Sequence, residues 1–301
     1  MYEQFVNKVQ HKHPLYLICI PILIVAISLL LIATIWDLFT TLLLDHFIDT
    51  ERDFGLAMTL EMILTLFTTL WLIKKVSGFS YRDLGFMKRN FMKHYLLGAV
   101  GGALGISLVF FINLVFKGID VTFVFKTEAL SAILLAFIFF LFQGMYEELL
   151  FRLYLMPHFS KAWGHTFALI TTSLLFMLLH GLNSSVNPLA FLNLFIFGMV
   201  FGLIYYRTGS AWLIGAGHSL WNFVLGPVLG SHVSGAVIDN TILLSTPTPH
   251  HFLLSGGMYG MEGSVLTTIV GLAVILYFLF SPKFKRATSR TTNPFRGSSL
   301  H

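Results

Sequence analysis

Residues 132–152 read AILLAFIFFLFQGMYEELLFR, an apolar run of helix length that ends in two adjacent carboxylates and an arginine. About 20 mostly apolar residues at 1.5 Å rise span a hydrocarbon core of roughly 30 Å, so this run has the length of a membrane span. The rest of the 301 residues agree: 56% are apolar and only 11% charged, against about 25% charged in a soluble domain. Mean hydropathy is +0.79. That composition excludes a soluble globule and intrinsic disorder. Cys19 is the only cysteine, which excludes an internal disulfide framework and a cysteine-based zinc or iron–sulfur site.

The sequence therefore predicts an all-α polytopic membrane protein with about eight transmembrane helices around a polar intramembrane cavity. The expected spans are 14–36, 55–73, 95–116, 129–150, 165–182, 188–206, 210–228 and 263–281. The first reads as an uncleaved anchor, being too long for a signal-peptide core. With both termini in the cytoplasm, 16 Lys and Arg fall inside and three (Arg52, Lys117, Lys126) outside, as the positive-inside rule requires. The net charge of +5 is then topological, and no nucleic-acid partner is implied. The expected division is 1–128 (helices one to three), 129–228 (the core that carries the chemistry), 229–281 (an outer loop and helix eight) and 282–301 (a basic cytoplasmic tail near anionic lipid).

Ionisable side chains inside a span are costly, so each needs an explanation. Asp37, Asp45, Glu61, His158, His165, His250 and His251 fall near span ends or in connections, where bland roles suffice. Three groups do not. On a helix, i and i+4 share a face, so Glu148 stacks over Arg152 and is neutralised. Glu147 has Phe151 at i+4 and is left free for chemistry. Phe176 and His180 share a face of the fifth span, and His218 and Asn222 share a face of the seventh. Taken alone, the second group also reads as a carbonyl-bonded histidine beside a lipid-facing Phe, and the third as interhelical hydrogen bonding. Residues 147 and 180 are equidistant from 163.5, beside Gly164, so a hairpin turning there brings Glu147 and His180 to similar depth. For this the fourth helix must run to about Met156, with 158–164 along the interface and the cavity open to the cytoplasm. Gly198, Gly202, Gly215 and Gly217 read as close helix packing.

The order EExxxR, FxxxH, HxxxN on three apolar segments, over about 140–225, resembles the CPBP family of intramembrane endopeptidases (CAAX protease and bacteriocin-processing, also called ABI), which includes the type II CAAX prenyl endopeptidases. The resemblance implies peptide-bond hydrolysis. Glu147 would activate a water with His180 helping to hold it, His218 and Asn222 would stabilise the oxyanion, and Glu148 and Arg152, with Phe176, would support the site. No cofactor is expected. Zinc is the alternative, because Glu147, His180 and His218 form the two-histidine, one-carboxylate set of catalytic zinc sites, while Asn222 is a poor zinc ligand. The implied partners are membrane lipids and a membrane-associated peptide or protein substrate, lipidated in some relatives. The membrane would be the bacterial cell membrane, or the endoplasmic reticulum of a eukaryote. The rival readings are a non-proteolytic scaffold or bacteriocin-immunity protein and, less favoured, a transporter, which would show two related halves; none is visible in the sequence.

Overall fold

Helices dominate because apolar segments in lipid must satisfy every backbone N–H and C=O internally. A computed structural model describes residues 2–9, 13–44 and 55–281. The expected basic tail, Lys12, Asp45 and Arg52 lie outside these residues. In chain order the helices are α1 (Tyr2–Lys8), α2 (Pro14–Ala26), α3 (Ala33–Leu44), α4 (Leu56–Ser77), α5 (Phe91–Val115), α6 (Leu130–Glu148), α7 (Met156–Trp163), α8 (His165–His180), α9 (Pro188–Thr208), α10 (Ala211–Phe223), α11 (Phe252–Ser255) and α12 (Val265–Phe280). Five helical stretches are long and apolar enough to cross a membrane: Leu15–Leu43, Leu56–Ser77, Phe91–Val115, Thr127–Trp163 and Pro188–Thr208. The expected fifth and eighth spans correspond to shorter apolar helices, His165–His180 and Val265–Phe280. The protein is not purely helical. β1 (Ile119–Phe123) pairs antiparallel with β2 (Leu243–Pro247), with Val121 opposite Ser245.

Local sequence sets the ends of these helices. Asn187 caps α9 by accepting from the Ala190 amide at 2.8 Å, with Pro188 in the first turn, where a missing N–H costs nothing. Ser210 and Ser264 cap α10 and α12 in the same way. α6 and α7 form one continuous helix through a π-helical stretch at Leu149–Leu155, so the expected stop near Met156 does not occur. The cause is local. Pro157 lacks an N–H and crowds the carbonyl four residues back. The backbone opens just before it, and the Met156 amide bonds Phe151 O, five residues back. The helix stops at Gly164 (φ 85°), a left-handed-side conformation that suits glycine, and α8 returns from there.

Connections gather at two ends. At one, Lys8 pairs with Asp83, Glu3 contacts His165 at 3.1 Å, and the Ala211 amide donates to Gly85 O. At the other lie the two strands and the 181–187 and 229–264 connections. There Asn183 donates to Ser234 O at 3.0 Å, and Asn187 to Gly256 O at 3.2 Å. Between the ends, α5 packs on α10 through glycine. A Cβ at Gly98 would collide with the Leu213 carbonyl, and one at Gly102 with the Gly217 carbonyl. Backbone cannot move aside as a side-chain tip can, so Gly102→Ala is expected to destabilise the protein by about 1–3 kcal/mol. A lowered thermal midpoint in detergent would show it, and an unchanged midpoint would contradict this close approach.

Candidate active site

The chemistry-bearing side chains come from three helices that meet at the π-helical stretch, a kind of helix defect frequent at functional sites. Glu147 and Glu148 end α6, His180 ends α8, and His218 and Asn222 sit in the second half of α10. Close approach is again a matter of small residues. Gly144 lies against Ser219, where a Cβ would sit 2.6 Å from the Ser219 amide nitrogen.

Glu148 and Arg152 are fully buried, and Arg152 Nη1 donates to Glu148 Oε1 at 3.0 Å, the pair expected from their i, i+4 spacing. The same oxygen accepts from His218 Nδ1 at 2.9 Å. Glu148 is therefore shared between a structural cation and a site histidine, which spacing alone did not reveal. The guanidinium lies 4.4 Å from the centre of the Phe176 ring, a cation–π contact that replaces part of its lost hydration.

The two histidines are oriented by their inner nitrogens. A carbonyl only accepts, so His180 Nδ1–H donates to Phe176 O at 2.9 Å. By the same reasoning His218 Nδ1–H donates to the Glu148 carboxylate. Both outer nitrogens then face Glu147. His180 Nε2 is 3.6 Å and His218 Nε2 is 3.5 Å from Glu147 Oε2. That oxygen is buried and has no hydrogen-bond partner among the described residues. Phe176 serves both rings: it lies 4.3 Å from His180 and meets His218 edge-on at 6.2 Å.

Glu147 is not entirely free. Gln143 Nε2 donates to its Oε1 at 2.5 Å, and Gln143 Oε1 accepts from Asn222 Nδ2 at 3.0 Å. Asn222 thus belongs to the site through Gln143, and its second amide hydrogen is not used in that bond. Gln143 lies one turn before Glu147; considering the i−4 as well as the i+4 neighbour would have found it. Phe201, stacked on His218 at 5.0 Å and 10°, carried no sequence signal, being one of 31 Phe residues.

These groups line a cavity of about 490 Å³ together with Phe140, Phe151, Phe197 and Trp221. Its position departs from expectation. The lining comes chiefly from the start of α4, the middle of the long helix, the end of α8, α9 from Ala190 to Phe201, the second half of α10 and the 229–264 connection, including Ser234, Tyr259 and Glu262. Nothing from 78–94 or 157–165 takes part, so the cavity does not open at the end rich in Lys and Arg. The reason is the length of the α6–α7 helix. Glu147 lies midway along it, and α8 runs back from Gly164 to place His180 in the far half.

Among the described residues no group of three or more His, Cys, Asp or Glu side chains is arranged to hold a metal ion.

No curated protein matches the chain. Several apolar helices long enough to cross a membrane make this a multi-pass integral membrane protein. Its residues 129–224, which supply every side chain of the cluster just described, match the family described as Type II CAAX prenyl endopeptidase Rce1-like, and this stretch is a domain of the CAAX-protease-like family.

Proposed function

We propose that the protein is an intramembrane endopeptidase of the glutamate type, crossing the membrane eight times with both termini in the cytoplasm. The observation that carries the reading is the convergence of both outer imidazole nitrogens on one otherwise unpartnered carboxylate oxygen of Glu147, within an apolar cavity. A water held there donates one hydrogen to Glu147 Oε2 and the other to His180 Nε2. As its oxygen attacks the scissile carbonyl carbon, its proton passes to Glu147. General-base assistance of this kind is worth about 10²–10⁴-fold. The carbonyl π pair moves to the oxygen. The resulting oxyanion is held by the second Asn222 amide hydrogen and by His218 when Nε2 carries a proton. Donors placed in this way contribute about 2.7–4 kcal/mol each in other enzymes. Collapse breaks the C–N bond, and the Glu147 carboxyl returns its proton to the leaving amine. Glu148 fixes the His218 ring, and Arg152 keeps the Glu148 charge tolerable.

The chemistry uses no metal, so EDTA is expected to leave cleavage unchanged. Loss of activity on chelation, restored by zinc, would overturn that part of the reading. The apolar lining suits a membrane-associated peptide or protein substrate, including a lipidated one. The peptidase reading is tested by comparing the protein termini of membranes that express the chain or its Glu147→Ala variant. New termini that depend on Glu147 support it. A phenotype that survives both Glu147→Ala and His180→Ala, with no change in termini, supports the scaffold or immunity reading instead.

A further inference from the structure

We infer that the active-site cavity opens on the extracytoplasmic side of the membrane, so that the substrate is a polypeptide segment exposed on that side rather than a protein lipidated at the cytoplasmic surface. Two independent observations meet here. The first is charge. Among the described residues, Lys8, Lys74, Lys75, Arg82, Lys88, Arg89, Lys93, Lys161 and Arg207 lie at one end of the bundle, and only Lys117 and Lys126 at the other. Nine against two is a strong bias, and Lys and Arg stay with the cytoplasmic ends of spans.

The second is the cavity itself. Most of its lining lies in the half next to the Lys- and Arg-poor connections, with Leu150, Phe151 and Phe201 reaching past mid-depth as its floor. Besides Met58 on α4 and Leu179 on α8, two exposed lining residues in connections, Asn183 and Ala236, mark its rim. These two belong to the two connections that Asn183 ties together by its bond to Ser234 O. The 229–264 connection is anchored over this end by β2 on β1 and by Ser245 Oγ, which donates to Leu229 O at 2.6 Å. It also brings a second carboxylate into the cavity. Glu262 accepts from Trp221 Nε1 at 3.0 Å and from the Ser234 amide and hydroxyl at 2.6 and 3.0 Å. No Lys or Arg lines the cavity. A segment carried into it from this side is therefore apolar and neutral or basic, and an acidic one is disfavoured by Glu147 and Glu262.

The substrate side rests on the peptidase reading above, whereas the side of the opening does not. The test uses the full chain with Cys19→Ser, carrying either Val237→Cys or Ala236→Cys near the rim, or Lys88→Cys at the opposite end. A membrane-impermeant maleimide is applied to intact spheroplasts and to inverted vesicles. A quenched-fluorescent library of neutral, apolar decapeptides is then offered to the same two preparations without the added cysteines. The inference expects the rim cysteines to be labelled in spheroplasts, Lys88→Cys only in inverted vesicles, and cleavage at least tenfold faster with spheroplasts. Rim labelling confined to inverted vesicles would overturn the assigned side. Rim labelling in spheroplasts with cleavage confined to inverted vesicles would overturn the substrate assignment while keeping the peptidase. Cleavage on neither side, with correct labelling, would remove the substrate assignment together with the peptidase reading and leave the direction of the opening intact.

Discussion

Replacing Glu147 by glutamine is expected to lower kcat about 10²–10⁴-fold while the protein stays folded. Glutamine has the same shape, and its carbonyl can still accept the hydrogen bond that Gln143 gives to Glu147 Oε1. Its amide group would face His180 Nε2 and His218 Nε2, two nitrogens able to accept from it. Packing and pair geometry therefore survive, and what is lost is the capacity to take a proton from water. The loss falls in the transition state, so KM should change much less than kcat. Rate measurements on purified variant and parent, with thermal melts as the control for folding, check this. A Glu147→Gln protein cleaving at the parent rate would remove Glu147 from the chemistry.

Arg152→Met is expected to have the largest effect on stability, about 3–5 kcal/mol. Arg152 is fully buried, donates to Glu148 and packs its guanidinium on Phe176. Methionine fills much of the volume but leaves the Glu148 carboxylate buried with only the His218 N–H as partner. An uncompensated charge costs more than the pair was worth. The double variant Glu148→Gln, Arg152→Met should accordingly recover much of the loss, because neither charge then remains. Denaturation in detergent reads both. A single variant as stable as the parent would show that Arg152 is not what makes the buried Glu148 tolerable.

What could be read without coordinates was whatever depends on helix phase. Glu148 with Arg152, Phe176 beside His180, and His218 with Asn222 on one cavity follow from a 3.6-residue repeat, and the return at Gly164 from one glycine at the right place. Less legible was anything set by depth or by contacts between helices. Span counting set the fourth span at 129–150 and the hairpin at Gly164 extended its helix only to about Met156, yet Pro157 is absorbed by a π-helical stretch and the helix runs on to Trp163. That extension puts Glu147 midway along the helix and leaves the cavity facing the Lys- and Arg-poor end. Glu262, Ser234 and Tyr259 lie in a connection that reads as an ordinary outer loop, and only the fold turns them toward the cavity. The β1–β2 pair joins segments more than a hundred residues apart, neither of which alternates clearly enough to announce a strand.

The central claim is that water, activated by Glu147, attacks the peptide carbonyl directly. A single turnover in water enriched in heavy oxygen, with enzyme in excess over a defined peptide substrate, tests it most directly. The expected result is one heavy oxygen in each new carboxyl terminus and none in the enzyme. Heavy oxygen recovered in the Glu147 side chain would contradict the account, because it would make that carboxylate the nucleophile of a covalent intermediate.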